Sequence, residues 1–293
     1  MTNIKNELIS HKDLYVWTQI NFTFNSNKIE GSHLSKNQTK QIFEENDLTI
    51  HSDDALEARN HFRLFDYMLK TVDEPLSKEM MIQMNMILKR GTSYEDNPAY
   101  NVGGFKVREN GIGMINSFKT TKPADVETEL DALLEKFQNK GVLSFEDIVK
   151  FHVCFERIHP FGDGNGRTGR MILFKQCLQN SHIPFVLLDR DRAFYLRGLK
   201  EWDFERNYLI DTLLTQQDIY ASLCEQFDIF KDFVQKELSK NKIVDENEQY
   251  VLFEIDEGIY QLVADDQVIG EIEKNNICDA LESIKSQKVK LDF

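Results

Sequence analysis

The stretch that decides the fold covers residues 157–170 and reads Arg157-Ile-His-Pro-Phe-Gly-Asp-Gly-Asn-Gly-Arg-Thr-Gly-Arg170. Apolar segments with helical spacing flank it, so the stretch is predicted to be a loop between two helices. Gly162, Gly164 and Gly166 let the backbone take a positive φ and approach a ligand closely. The first amides of the second helix are unpaired and carry the positive end of its dipole. The loop is therefore predicted to bind an anion.

Four side chains give this loop its predicted chemistry. Arg167 and Arg170 are three residues apart, so both project from the first helical turn toward one anion and suit a polyphosphate. His159 ends the preceding helix, and its near-neutral titration suits it to take a proton from a hydroxyl. Asp163 offers a carboxylate to Mg²⁺, which often binds through one carboxylate plus substrate phosphates. Each feature alone is commonly structural, but their order and spacing together predict phosphoryl or nucleotidyl transfer.

The segment resembles the signature of the Fic family, HxFx(D/E)GNGRxxR. All of its fixed positions are present, as His159, Phe161, Asp163, Gly164, Asn165, Gly166, Arg167 and Arg170. The resemblance covers about residues 75–215 and excludes the Doc-like branch, which replaces the GNGR portion and acts as a kinase. It implies a mainly α fold, with a Fic/Fido helical core, an inserted β-hairpin flap and, in this chain, a small C-terminal α+β appendage.

The resemblance also implies a reaction in which AMP passes from ATP to a Ser, Thr or Tyr hydroxyl of a target protein. His159 would be the base, and Asp163 would hold Mg²⁺, with Mn²⁺ as an alternative ion. The phosphates would lie against a group of loop residues, namely Gly162, Gly164, Asn165, Gly166, Arg167 and Arg170. Self-modification is expected.

Three further roles are implied by the resemblance. Phe161 is expected to anchor the loop from below. Tyr195 borders the base or ribose, or else is an ordinary core tyrosine. The flap, around Gly104–Lys119, would bind an extended segment of the target by strand addition.

A second motif lies near the N-terminus, where Ser26-Asn-Lys-Ile-Glu-Gly31 matches the family's inhibitory pattern, (S/T)xxxE(G/N). The resemblance implies that Glu30 pairs with Arg170 and takes the place of the γ-phosphate, or forces ATP into an unproductive pose. The alternative is a surface glutamate at the end of a helix. In some relatives this glutamate also supports removal of AMP from the target, and the sequence leaves that activity open.

The rest of the chain is predicted from spacing and turn signals. Serines 52, 77 and 144 are predicted N-caps of helices, and helical segments are expected over 192–215 and 217–240. Asn110-Gly111 predicts a type I′ hairpin turn. Near the C-terminus, three strands and a last helix are expected, over 250–255, 258–263, 267–272 and 276–286. The predicted division is an N-terminal helical region with the inhibitory motif, a Fic core with the helices that follow it, and a strand-rich C-terminal domain, at 1–74, 75–240 and 241–293.

Composition narrows the class of protein. The formal net charge of −14 argues against nucleic-acid binding, because phosphate contacts dominate that affinity. Neither a secretory signal nor an apolar run long enough to span a membrane is expected. The four cysteines form no CxxC pair and are expected to be reduced thiols, so the predicted location is the cytoplasm.

Alternatives to AMP transfer remain open from the sequence. A few relatives move UMP or phosphocholine with the same loop, which holds phosphates and does not select the base. A non-catalytic nucleotide sensor is disfavoured because His159 and Asp163 are both retained. A DNA-binding regulator is disfavoured because the tail from residue 241 has 13 acids against 5 bases. Self-association into a homo-oligomer is left open.

Overall fold

The structure, a computed structural model, describes residues 4–45, 52–112, 118–227, 242–246, 250–256, 259–264 and 267–273. The first helices are α1 (Ile4–Ser10), α2 (Lys12–Ile29), α3 (Lys36–Glu45), α4 (Asp53–Lys70) and α5 (Lys78–Lys89). Two short strands follow, β1 (Gly111–Ile112) and β2 (Phe118–Lys119). The remaining helices are α6 (Val126–Gln138), α7 (Phe145–Ile158), α8 (Asn165–Gln179), α9 (Arg192–Glu201) and α10 (Asn207–Gln226), with 3₁₀ turns at Pro123–Asp125 and Asp189–Asp191. The prediction of a mainly helical fold is confirmed.

The predicted helix starts are confirmed by their hydrogen bonds. Ser52, Ser77 and Ser144 are N-caps, and each side chain accepts a hydrogen bond from the amide three residues later. The predicted boundary between two helical segments at residue 216 is wrong, because α10 continues through it and the break lies between α9 and α10.

Helix α8 is buried along nearly its whole length and organises the fold. It packs against α2, α4, α5 and α7. Phe174 of α8 stacks on Phe22 of α2 at 5.3 Å between ring centroids and meets Phe65 of α4 edge-on at 5.4 Å. Aromatic rings buried in this way contribute large apolar contact areas. This packing places the end of α2 beside the start of α8.

The β1–β2 pair is antiparallel, with Gly111 opposite Lys119. The predicted Asn110-Gly111 turn is wrong, because Gly111 begins a strand and does not close a hairpin. The Asn110 side chain is engaged elsewhere: its Nδ2 donates to the Phe161 carbonyl oxygen at 2.8 Å, and its Oδ1 accepts from Lys106 Nζ at 2.7 Å. The contact with Phe161, a residue distant in sequence, is not contained in the dipeptide and outweighs the local turn preference.

Residues near the C-terminus form a four-stranded antiparallel sheet in the order β3-β4-β5-β6. Its strands are β3 (Lys242–Glu246), β4 (Tyr250–Asp256), β5 (Ile259–Ala264) and β6 (Gln267–Glu273). The last three correspond to the predicted strands, and β3 was not predicted. The predicted last helix, 276–286, and the predicted helical residues 228–240 lie outside the described residues.

The chain divides into two compact units, Met1–Leu223 and Cys224–Phe293. The predicted N-terminal region, α8 and the four helices that pack against it belong to the first unit. Among the residues that the structure describes, no helix is long and apolar enough to cross a membrane.

Candidate active site

His159 is the C-cap of α7 and adopts a left-handed backbone, with φ of 52°. Its side chain is only 16% exposed. Nδ1 lies 3.1 Å from the backbone carbonyl oxygen of Glu156. Since a carbonyl can only accept, Nδ1 carries the proton and Nε2 is left as the basic nitrogen. Burial lowers the pKa of His159 to about 4, so the ring is neutral at pH 7.

The glycine-rich loop turns sharply into α8. Gly164 is the N-cap of α8 and has φ of 80°, a conformation that favours glycine. Gly162 packs against the backbone of Tyr100. A Cβ on Gly166 would lie 2.2 Å from Oε1 of Glu30, so the absence of a side chain there leaves the space that the Glu30 carboxylate occupies. A negatively charged group therefore already lies at the head of α8, where the helix dipole favours an anion.

Asn165 holds the loop in shape. Its Oδ1 accepts from the Phe161 amide, and its Nδ2 donates to the Phe161 carbonyl oxygen, both at 2.8 Å. The side chain is buried at 2% exposure, so its amide is engaged within the loop and is not turned toward a phosphate. Phe161 is itself buried between Phe105 and Phe155.

Glu30 and Ser26, the two fixed polar residues of the N-terminal motif, both contact Arg170. Nη2 of Arg170 lies 2.7 Å from Oε1 of Glu30, and its Nε donates to Ser26 Oγ at 3.0 Å. A third bond runs from Nη2 to the Ser26 carbonyl oxygen at 2.9 Å. Burial raises the pKa of Glu30, but Arg170 and then Arg167 outweigh it and hold that pKa below its ordinary value. The carboxylate is therefore ionised at pH 7.

Arg167 lies in a buried cluster of charges. It forms ion pairs with Glu57 of α4 and, at 3.1 Å, with Asp163, and it donates to Asn27 at 3.1 Å. Lys89, the last residue of α5, is 1% exposed and contacts both Glu57 and Asp163. Two cations and two carboxylates thus balance within the cluster, which makes their burial tolerable.

Asp163 is the residue best suited to hold a metal ion. Its side chain is 35% exposed, and its contacts with Lys89 and Arg167 both use Oδ2. Burial raises its pKa, but Arg167 and Lys89 outweigh that effect and hold the pKa below its ordinary value, so the carboxylate is charged. Within the described residues, no group of three or more His, Cys, Asp or Glu side chains could hold a metal ion. The site fits an ion that takes one carboxylate and draws its other ligands from phosphates and water.

The segment before β1 holds the loop from the other side. Lys106 is buried, and its Nζ donates to the Ile158 carbonyl oxygen at 3.1 Å and to Thr120 Oγ1 at 2.9 Å. Its amide donates to the Pro160 carbonyl oxygen at 2.8 Å. Together with the Asn110 contact to Phe161, these bonds fix residues 158–161 to the segment that leads into the strand pair.

Tyr195 is 1% exposed, and its hydroxyl lies 2.8 Å from Nε2 of His152. The side chain is therefore buried in the core, and a role of Tyr195 beside the base or ribose stays a prediction.

Sequence reasoning missed several residues that shape the site, namely Glu57, Asn85, Lys89, Lys106, Asn110 and Glu156. Asn85 of α5, for example, donates to the Asp163 carbonyl oxygen at 2.9 Å. No sequence signal separates Glu57 and Lys89 from solvated charges, although each adjoins an apolar residue on the buried face of a helix, Ala58 and Leu88 respectively. A charge in that position is usually a solvated one.

Comparisons with known proteins show a family match and similar folds. Residues 75–177 match the model of the Fic/DOC family. A Fic domain containing signaling protein from Bacteroides thetaiotaomicron superposes with a TM-score of 0.64 at 21% identity, over 74% of this chain and 89% of that one. Fic-1 from Caenorhabditis elegans superposes with a TM-score of 0.57 at 18% identity, over 73% of this chain and 64% of that one. The chain therefore contains a Fic domain, over residues 75–177.

Two curated relatives are named as protein adenylyltransferases. A probable protein adenylyltransferase from Aquifex aeolicus is 33% identical over 89 residues, which are 29% of this chain and 27% of that protein. The protein adenylyltransferase fic-1 from C. elegans is 25% identical over 183 residues, 61% of this chain and 35% of that protein. The chain thus spans about a quarter to a third of the length of these relatives.

Proposed function

We propose that this protein transfers AMP from ATP to a hydroxyl of a target protein and that Glu30 inhibits the transfer. The observation that carries the proposal is the position of the Glu30 carboxylate, between Arg170 and Gly166 at the head of α8. A carboxylate bound there occupies the place that an anionic phosphate would take. The loop has the residues that Fic enzymes use, and the named relatives at 33% and 25% identity are adenylyltransferases.

His159 supplies the base. With Nδ1 bonded to the Glu156 carbonyl, Nε2 accepts the proton of a Ser, Thr or Tyr hydroxyl. The hydroxyl oxygen then forms a bond to the α-phosphorus of ATP, and the bond from that phosphorus to the bridging oxygen breaks. Pyrophosphate is the leaving group. Burial keeps the imidazole neutral at pH 7, so it is ready to accept the proton.

Arg170 and the first amides of α8 bind the outer phosphates once Glu30 withdraws. Arg170 keeps its two bonds to Ser26 when the Glu30 contact breaks, so the guanidinium stays in place for the incoming anion. Arg167 contributes positive charge from behind Asp163. Asp163 would hold Mg²⁺, which when bound neutralises phosphate charge.

The target protein would bind along residues 104–119, beside the loop. Lys106 and Asn110 tie this segment to Ile158 and Phe161, so a target strand added to it would lie close to His159. This role of the segment as a flap rests on the bonds of Lys106 and Asn110 to Ile158 and Phe161, on either side of the base.

Labelled ATP tests the proposal. Wild type, Glu30→Gly and His159→Ala are incubated with ATP labelled at the α-phosphate, with the chain itself and a cell lysate as acceptors. Weak labelling is expected for wild type, strong labelling for Glu30→Gly and none for His159→Ala. Glu205→Gly, which removes an exposed glutamate from a loop, is the matched control and should behave as wild type. Equal labelling by all variants would refute the assigned roles, and label from the γ-phosphate would indicate a kinase.

A further inference from the structure

Three titratable side chains lie on one face of α7, namely His152, Glu156 and His159. The two oxygens of Glu156 face different rings: Oε1 is 3.9 Å from Nε2 of His152, and Oε2 is 3.9 Å from Nδ1 of His159. Side chains spaced by three and four residues share a helix face, which explains the row. Only His159 has a part in the proposed reaction, so the other two are buried ionisable groups without an assigned role.

Glu156 is buried at 4% exposure. Its Oε1 and Nδ1 of His152 have no hydrogen-bond partner among the described residues. Other elements also place charged or titratable groups near it: Arg170 of α8, Glu30 at the end of α2, and Tyr195 of α9. A carboxylate in such an enclosure is strongly disfavoured unless a cation compensates it. Burial accordingly raises the pKa of Glu156 to about 8, against the lowering effect of Arg170, while Glu30 raises it further.

We propose that Glu156 is a positioning residue for the base, an inference that rests on the proposed function. Its side chain, enclosed by His152, His159 and Arg170, sets the basicity of the His159 imidazole. A protonated Glu156 gives the ring no charge stabilisation. An ionised Glu156 places a carboxylate 3.9 Å from Nδ1, where it stabilises the imidazolium that forms when Nε2 takes the target's proton.

The position of Arg170 links this effect to inhibition. Arg170 pairs with Glu30 and also acts electrostatically on Glu156. When Glu30 leaves, its negative charge no longer opposes the ionisation of Glu156, and Arg170 continues to favour it. Release of the inhibitory glutamate therefore opens the phosphate site and eases the ionisation of Glu156, while it also removes the direct contribution of the Glu30 charge, which raises the pKa of His159.

Histidine titration by NMR on the full chain tests the proposal without any reaction. The seven histidines are isotopically labelled, and His159→Ala identifies the resonance of interest. In wild type, the His159 signal should show one inflection from its own ring in the acid range and a second one near pH 8, when Glu156 ionises beside it. Glu156→Gln should remove the second inflection. Glu146→Gln removes an exposed charge from the first turn of the same helix, and this variant should retain the second inflection.

Two further variants keep the test decisive. If Glu156→Gln does not fold, Gly169→Ala serves in its place, because a Cβ there would lie 2.5 Å from Oε1 of Glu156 and push the carboxyl aside. In Gly169→Ala, the second inflection of the His159 signal should move to another pH but remain visible. With Glu30→Gly as background, the AMP transfer rate should rise as Glu156 ionises, at a pH below that of the second inflection in wild type, and lose that rise with Glu156→Gln.

The outcomes separate the two proposals. An upper inflection that is absent from wild type, or that persists in Glu156→Gln, overturns the positioning role. If the inflections behave as expected while no variant transfers AMP, the proposed function fails and the electrostatic link from Glu156 to His159 stands.

Discussion

The carboxylate of Glu30 takes up the space that a side chain on Gly166 would fill. Its Oε1 lies 2.2 Å from the ideal Cβ position at residue 166 and 2.7 Å from Nη2 of Arg170. The two residues are 136 positions apart in the sequence, yet they meet at the head of α8. A glycine in this position therefore has two consequences: it admits an anion to the helix N-terminus, and it admits the internal carboxylate that competes for that place.

Glu30→Gln should destabilise the free protein and tighten ATP binding. The change removes the charge that neutralises Arg170, but the amide can still accept a bond, Arg170 keeps Ser26, and Glu30 is 36% exposed. The loss in unfolding free energy is therefore on the order of 1–2 kcal/mol, below the range for a fully buried pair. That corresponds to a Tm lower by about 2–8 °C.

Thermal unfolding and calorimetric ATP titration measure both effects, with Glu127→Gln as a surface control. ATP should raise the Tm of Glu30→Gln more than that of wild type, because a ligand stabilises the state it binds. Weaker ATP binding by Glu30→Gln than by wild type would argue against competition at the head of α8.

The Lys89→Met variant should unfold far more easily than wild type. Lys89 is 1% exposed and faces Glu57 and Asp163, so its removal leaves two carboxylates with Arg167 as their remaining cation. Breaking a buried pair by deleting one partner costs about 3–5 kcal/mol. The double variant Glu57→Gln/Lys89→Met should recover part of that loss, as expected for residues in one network.

Urea unfolding midpoints check this prediction. Lys78→Met is the control, because Lys78 pairs with Asp131 at 2.8 Å on the surface, where such pairs contribute little to stability. Equal losses in Lys89→Met and Lys78→Met would show that the cluster carries no special stability.

Asn165→Ala separates a loop-holding role from a phosphate-binding role. In the structure the side chain bonds both to the amide and to the carbonyl oxygen of Phe161. Its removal leaves a buried amide without an acceptor, while the carbonyl keeps its bond from Asn110, so about 1–3 kcal/mol of stability should be lost. The urea unfolding midpoint should fall for Asn165→Ala. It should be unchanged for the control Asn207→Ala, because Asn207 is exposed at the start of α10. Unchanged stability with weakened ATP binding would instead favour direct contact with phosphate.

The sequence predicted the parts of the site that are local. The glycine turn, the start of α8 and the serine caps depend on neighbouring residues, and spacing reveals them. The contact between Glu30 and Arg170 was inferred only through the family resemblance. Glu57, Lys89 and Lys106 could not be found in this way, because each reaches the loop from a distant segment. The charges of Glu57 and Lys89 are indistinguishable in sequence from those of solvated helix faces, and Lys106 lies outside the helices. The Asn110 error has the same origin, since its partners are Lys106 and Phe161.

The acid limit of AMP transfer should lie well below the usual histidine range. Burial lowers the pKa of His159 to about 4, so the ring is neutral above that value and protonates only as the pH falls through it. With Glu30→Gly as the active form, labelling from α-labelled ATP should hold from pH 7 down to about pH 5 and then decline. If the imidazole were exposed to water, the transfer rate would instead fall by half near the ordinary histidine pKa of about 6.5.

Circular dichroism at each pH distinguishes protonation of the base from acid unfolding. Acid unfolding is promoted by His61 and His152, which are buried and neutral in the folded protein and take up protons when it unfolds. A half-maximal rate between pH 6 and 7, with the fold intact, would mean that the base is not enclosed as the structure has it.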